Sequence, residues 1–189
     1  MTHEKILDNI NKLGHYTDEE IADFLSITQV KVLKKNDHFL NEGQISREIG
    51  FINKGLLMHY HVYEGEVIPA DFATENEWVA YLKSFSSQTP SEMSIIALEE
   101  STLLVLSAEK LEGLLTRNPK FLILKNYNVE KALVDSTQHA ADLAMLSAKQ
   151  RYYKLMRDKP YIVERVPQYY LAPYLGMKPQ SLSRIRKEA

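Results

Sequence analysis

The chain contains no cysteine. That excludes disulfides, thiolate-held zinc and cysteine-ligated iron–sulfur clusters, and it accords with a reducing compartment. It also lacks any uninterrupted apolar run approaching eighteen residues, so no segment reads as a transmembrane helix. Its first fourteen residues interleave acids with apolar side chains and do not form a signal-peptide pattern. These absences point to a cytoplasmic protein without a membrane partner. The nucleophile elbow, the phosphate-binding P-loop, the HExxH helix and the Gly-rich dinucleotide fingerprint are all missing, so nothing supports an enzyme or names a cofactor. Internal repeats and low-complexity tracts are absent as well. Arginine is missing from the whole span between Arg47 and Arg117, in which Lys83 is the sole Lys or Arg between Lys54 and Lys110.

Little net charge is present, and that total conceals an asymmetry. The formal charge is −2, yet from Ser147 onward ten Lys or Arg face three acids, about +7. The remainder carries 13 basic and 22 acidic residues, about −9. A basic C-terminal module on an acidic body is the electrostatic footprint of a phosphate-backbone binder, because Lys and Arg release condensed counterions from a duplex.

At 189 residues and 44% apolar composition the chain can build one domain or two small ones around a real core. Residues 4 to about 26 read as helical. Ile6, Ile10 and Leu13 recur at helical spacing, Gly14 stops the segment, and Thr17 followed by Asp18, Glu19 and Glu20 marks an N-cap with acids in the first turn. From Thr28 the period changes to two. Val30 and Val32 alternate with lysines. Short runs at Phe39–Leu40, Phe51–Ile52, Leu56–Tyr63, Val67–Phe72, Met93–Leu98 and Leu103–Leu106 follow, separated by Gly, Asn and Asp turns. About seven short strands so spaced predict an all-β sandwich or barrel. Thr74–Gln88, which holds the single Trp, reads as a short helix and a loop. His59 and His61 share one face of a strand, but a metal site needs further ligands. Glu64, Glu66 and Asp71 read as solvated turn acids.

After the strands, Ser107–Leu115 reads as a short helix. Asn118-Pro119 then opens a long one, with an Asn cap and Pro at the first helical position. Leu122, Val129, Leu133, Ala140 and Leu143 follow a 4-3 spacing to about Leu146, interrupted at Asn126 and Ser136. We read this stripe as a dimer seam, the alternative being packing against the β-domain of the same chain. A helix this long outruns a domain of about 100 residues. Ser147–Met156 reads as the first helix of the basic module, ended at Asp158-Lys159-Pro160.

Two short amphipathic segments close the chain. Val166–Leu175 places Val166, Tyr170, Ala172 and Leu175 on a buriable face. Gly176 follows, where a helix ends readily in the left-handed conformation. Pro179 then starts Pro179–Glu188, with Leu182 and Ile185 on one side and Gln180, Ser181, Ser183, Arg184 and Lys187 on the others. Helix, Gly turn, helix is shared by structural αα-corners and by DNA-reading helix-turn-helices. The local positive charge favours the second.

The succession of helical lead-in, small β-roll, long helix and C-terminal helix-turn-helix resembles the Crp/Fnr family of bacterial transcription regulators. The carrying residues are the turns Leu40–Gly43 and Phe51–Gly55 and, above all, Val166–Lys187, with its YLGMKPQSLSRIRK run. The resemblance implies an α+β fold with three parts: a cyclic-nucleotide-binding-like sensor β-roll over 1–117, a long dimerisation helix over 118–146, and a helix-turn-helix DNA-binding domain over 147–189. It implies a homodimer whose recognition helices enter successive major grooves of a two-fold operator, with double-stranded DNA as partner and RNA polymerase as a further candidate. By motif position Gln180, Ser181 and Arg184 face bases, and Lys178, Ser183 and Lys187 face phosphates. Cyclic-AMP-binding members carry Gly-Glu-Leu and then Arg followed by Ser or Thr, the Arg neutralising the cyclic phosphate. Here the corresponding stretches read Trp78-Val79-Ala80-Tyr81-Leu82 and Glu92-Met93-Ser94, so cyclic AMP is not expected to bind with ordinary affinity. Trp78, Tyr81, Met93 and Ser94 are candidates to line a pocket for another small effector. Only Pro160–Arg165 separates the helical parts, which implies a reduced or absent wing. The competing reading is a small-molecule sensor without sequence-specific DNA binding.

Overall fold

A computed structural model describes residues 3–188. Residues 1, 2 and 189, the extreme ends of the expected first and third domains, lie outside the described residues. The elements run α1 (Glu4–Asn11), α2 (Asp18–Ser26), β1 (Gln29–Leu33), β2 (His38–Leu40), β3 (Glu48–Lys54), β4 (Leu56–Tyr63), β5 (Glu66–Thr74), β6 (Trp78–Val79), α3 (Leu82–Ser87), β7 (Ser94–Ala97), β8 (Ser101–Ser107) and α4 (Ala108–Arg117). A 3₁₀ turn at Pro119–Phe121 leads into α5 (Leu122–Met145), and α6 (Ala148–Asp158), α7 (Pro160–Arg165), α8 (Gln168–Tyr174) and α9 (Pro179–Glu188) follow. The chain divides into two compact units, residues 1–59 with 73–130, and residues 60–72 with 131–189.

The strands form two four-stranded sheets of order β1-β8-β3-β6 and β2-β7-β4-β5, with β8 antiparallel to both β1 and β3. Strand β8 shows how the first unit is built. Leu103 and Val105 join the cluster of Leu33, Leu40, Ile52, Leu57, Ile95 and Ala97. Leu104 and Leu106 join Phe51 of β3 and Ile6, Ile10, Phe24, Leu114 and Phe121 of the flanking helical segments. Because successive strand residues point to opposite faces, one apolar run serves both layers. Ile6 and Ile10 are fully buried, each worth about 1.5–3 kcal/mol against exposure. The lead-in helices thus close the outer side of the β-roll.

Local chemistry sets the ends of these elements. Thr17 caps α2 in a complete capping box: its hydroxyl accepts from the Glu20 amide at 3.2 Å and its own amide donates to Glu20 Oε2 at 2.8 Å. Glu20 also accepts from Asn118 Nδ2 at 3.1 Å and from Lys120 Nζ at 2.8 Å, tying α2 to the start of the long helix. Ser107 caps α4, and Asn118 accepts from the Lys120 amide. Gly55, at φ +120°, sits where an added Cβ would lie 2.7 Å from Ser101 Cα, so the turn between β3 and β4 excludes every other residue.

The structure sharpens three sequence readings. Val30 and Val32, on one face of β1, are 55% and 61% exposed, and Leu33, on the other face, is buried. Thr74–Gln88 holds a strand as well as a helix: β6 pairs with β3 at Gly50–Val79 and Phe51–Trp78. Pro160, read as the end of a helix, also begins another, occupying the first position of α7.

Candidate nucleic-acid interface

The helix-turn-helix lies in the second compact unit. Helix α8 buries Leu171, Ala172 and Tyr174, and α9 buries Leu182 and Ile185. Between them Gly176 has φ +62°, the left-handed geometry expected of a helix C-terminus. Its amide donates to Pro173 O at 2.9 Å and the Met177 amide to Ala172 O at 3.0 Å, which satisfies carbonyls left open at the helix end. The Ser181 and Leu182 amides then reach Lys178 O at 3.0 and 3.2 Å, starting α9.

With Leu182 and Ile185 inward, Gln180, Arg184 and Lys187 stand exposed along the opposite stripe at i, i+4 and i+7, and Lys178 is exposed just ahead of it. Ser181 and Ser183 are half-buried on its two flanks. The structure therefore brings the six sequence-predicted residues onto one helix and its entry, with the two serines at the margins.

Most of the module's other basic side chains have partners within the protein. Lys149 binds Glu188 at 2.9 Å, and this contact raises the lysine's pKa and lowers the carboxylate's. Lys154 holds Asp142 at 2.5 Å, Arg157 holds Asp158 at 2.7 Å, and Arg186 Nη2 donates to Val163 O at 2.7 Å. Arg151 donates only to backbone carbonyls. Among the described residues, the side chains of Lys178, Arg184 and Lys187 make no hydrogen bond or ion pair. The count of ten basic residues thus overstates the charge offered to a partner.

Part of this unit was not legible in the sequence. Tyr174 of α8 stacks on His139 of α5 at 4.3 Å and meets Phe72 of β5 edge-on at 4.9 Å. Burial, the leading influence, holds the His139 pKa below its ordinary value, with Arg151 and Lys159 adding to that and Asp71 and Asp142 opposing it. Residues so far apart along the chain leave no local signal. A Lys-Pro helix start at Lys159-Pro160 was the one local cue for α7.

Among the candidate effector residues, Trp78 packs apart from Tyr81. Trp78 packs against the helical cluster, donating from Nε1 to Asn9 Oδ1 at 3.2 Å and meeting Phe51 edge-on at 5.3 Å. Tyr81 packs against the other cluster, and its hydroxyl donates to Glu92 at 3.3 Å. Met93 and Ser94 are buried beside Glu92, where Ser94 Oγ accepts from the Glu42 amide at 2.9 Å. Lys83 pairs with Glu92 at 2.5 Å.

Residues 30–118 match the model of the cyclic nucleotide-binding domain family. Among solved structures, a c-di-GMP-responsive global regulator, CLP of Xanthomonas campestris, is 18% identical with a TM-score of 0.73 over 91% of both chains. FixK2 of Bradyrhizobium japonicum is 12% identical with a TM-score of 0.73, covering 86% of this chain and 84% of that one. The catabolite activator protein of Thermus thermophilus is 18% identical with a TM-score of 0.55, covering 91% and 83%. No curated protein sequence matches the chain. The fold, a β-roll of antiparallel strands with a long helix and a helical C-terminal module, is therefore that of Crp/Fnr-type regulators. Residues 30–118 of that fold are the part similar to the cyclic nucleotide-binding domain family.

Proposed function

We propose that this protein is a DNA-binding transcription regulator that acts as a homodimer, each copy laying α9 in the major groove of one half of a two-fold operator. The observation that carries this reading is the outward stripe of Gln180, Arg184 and Lys187 on a helix whose other side is fixed by Leu182 and Ile185, while the remaining basic groups of the module are largely engaged internally. Gln and Arg are the side chains suited to bidentate contacts with adenine and guanine edges, each worth about 1–3 kcal/mol of discrimination. Ser181 joins Gln180 and Arg184 in facing bases, and Lys178, Ser183 and Lys187 face phosphate oxygens.

The second copy is the occupant of the exposed apolar face of α5, a 24-residue helix about 36 Å long. Leu133 is 67% exposed on it, with Leu122, Ile123, Tyr127, Val129 and Val134 also open to solvent. Apolar area of that extent on one helix is expected to be covered in the working assembly. A two-fold dimer also supplies the two-fold reading head.

The β-roll serves as the sensor, and its effector is a small molecule other than cyclic AMP. Lys83, the sole Lys or Arg between Lys54 and Lys110, is held by Glu92, and no arginine lies between Arg47 and Arg117. Cyclic AMP added to the protein should leave its melting temperature unchanged, and a dose-dependent rise would overturn this part.

Selection of bound duplexes from a random pool tests the main reading. The expected product is an inverted repeat with half-sites about one helical turn apart. Arg184→Ala should then lose preference for that site by about 1–3 kcal/mol while retaining salt-sensitive binding to unrelated duplex. Equal losses on every duplex would rule out base reading by Arg184.

A further inference from the structure

Arg151, in the second turn of α6, donates to four backbone carbonyls at two helix ends. Its Nε reaches Leu175 O at 2.8 Å and its Nη2 reaches Gly176 O at 3.4 Å, both at the end of α8. Its Nη1 reaches Leu143 O at 3.2 Å and also bonds Leu146 O, both at the end of α5. Helix C-termini present carbonyls without intrahelical partners and the negative end of the helix dipole. A planar guanidinium with donors fixed in a fork can satisfy two such ends at once, which a lysine ammonium on a flexible stem cannot do in one geometry. Gly176 completes the arrangement. A Cβ there would lie 3.2 Å from Arg151 Nη2 and 3.1 Å from Leu143 Cδ2, so the missing side chain leaves the guanidinium its seat.

We infer that Arg151 is the positioning residue that sets the recognition helix at a fixed angle to the long helix, through the turn at Gly176. The inference rests on the DNA-binding reading above and deepens it. Helix α9 starts at Pro179, three residues beyond the clamped carbonyl of Gly176, so the clamp fixes where that helix begins. Sequence-specific binding by a dimer requires both recognition helices to meet their half-sites in one orientation, whereas nonspecific binding requires only positive charge near phosphates. Loosening the clamp therefore weakens operator binding selectively. Arg151 is not itself a phosphate ligand, because its donors are already directed at carbonyls within the protein.

The full-length variants Arg151→Met and Arg151→Lys test this against the selected operator and a scrambled duplex, by fluorescence anisotropy over a range of salt. Arg151→Met should bind the operator at least about tenfold more weakly, yet bind the scrambled duplex within about twofold of the parent and with the same salt slope. Arg151→Lys should fall between the two. In the free protein, the Gly176 and Met177 amides should exchange with solvent faster in Arg151→Met, with β-roll amides unaffected. Operator affinity within about twofold of the parent overturns the inference. So do equal losses on both duplexes with a shallower slope, which make Arg151 a phosphate contact. If Arg151→Met shows no cooperative melt, Arg151→Lys is judged by the same criteria. If the parent protein prefers no duplex, the regulator reading fails by itself. Amide exchange at Gly176 and Met177 then decides the clamp: faster upholds it, unchanged overturns it.

Discussion

Single residues in this protein divide by what their charge is held against. Glu20 accepts hydrogen bonds from Lys120, Asn118 and its own cap residue, and these, led by Lys120, hold its carboxyl down at about 2. A carboxylate with a depressed folded-state pKa stabilises the fold above its ordinary value of 4.5 and loses that contribution as pH falls toward 2. Glu20→Gln should lower the melting temperature at pH 7 and flatten its decline between about pH 4.5 and 2, as thermal melts at several pH values would show. A steeper decline in the variant would contradict the assignment. His139 works with the same sign but in a different window. Burial against Tyr174 depresses its pKa, so the unfolded chain binds the extra proton first and stability falls as pH drops below about 6.5. His139→Gln should remove that part of the pH dependence between about pH 7 and 5. Arg184 and Arg186 make the same point for binding. They are two residues apart, yet one stands in solvent and the other is bonded to Val163 O, so Arg186→Ala should act on stability and Arg184→Ala on recognition.

Elements add constraints that no single side chain carries. The turn between α8 and α9 needs a residue at φ +62° with no side chain against Leu143, so Gly176→Ala should destabilise the second unit by at least about 1 kcal/mol, read from denaturant melts. Loss of less than that would mean the turn relaxes freely. Helix α5 carries its apolar stripe almost wholly in solvent. Leu133→Glu should leave the fold of one chain intact and shift sedimentation from dimer to monomer, because a charge placed in a two-fold seam meets its own copy. The regular elements were readable because each has a local cause: capping at Thr17, Ser107 and Asn118, Pro at the start of α9, and period-two runs in β4 and β8. Strand β6 was not, because two residues have no period and only pairing with Gly50 and Phe51 of β3 makes them a strand.

At the scale of the whole molecule, opposite charges are segregated along the chain, and a near-neutral total of −2 masks it. The segregation is what the proposed nucleic-acid-binding reading draws on, and the cations exposed on α9 and its entry are Lys178, Arg184 and Lys187. For a dimer, those charges imply a slope of log affinity against log salt of about −5, far shallower than all the module's basic residues together would give. A slope near twice that figure would show that further basic groups reach the duplex. Composition and spacing by themselves determined the order of elements: a helical lead-in, a small all-β sandwich or barrel, a long helix and a Gly-turned helix pair, because periodicity, caps and glycine turns act over a few residues. Which valines of β1 face solvent, why Trp78 and Tyr81 part company, and where Arg151 directs its donors were decided only by the tertiary structure. Each of those depends on which distant segment lies opposite, and pairing between distant segments leaves no mark on the local sequence.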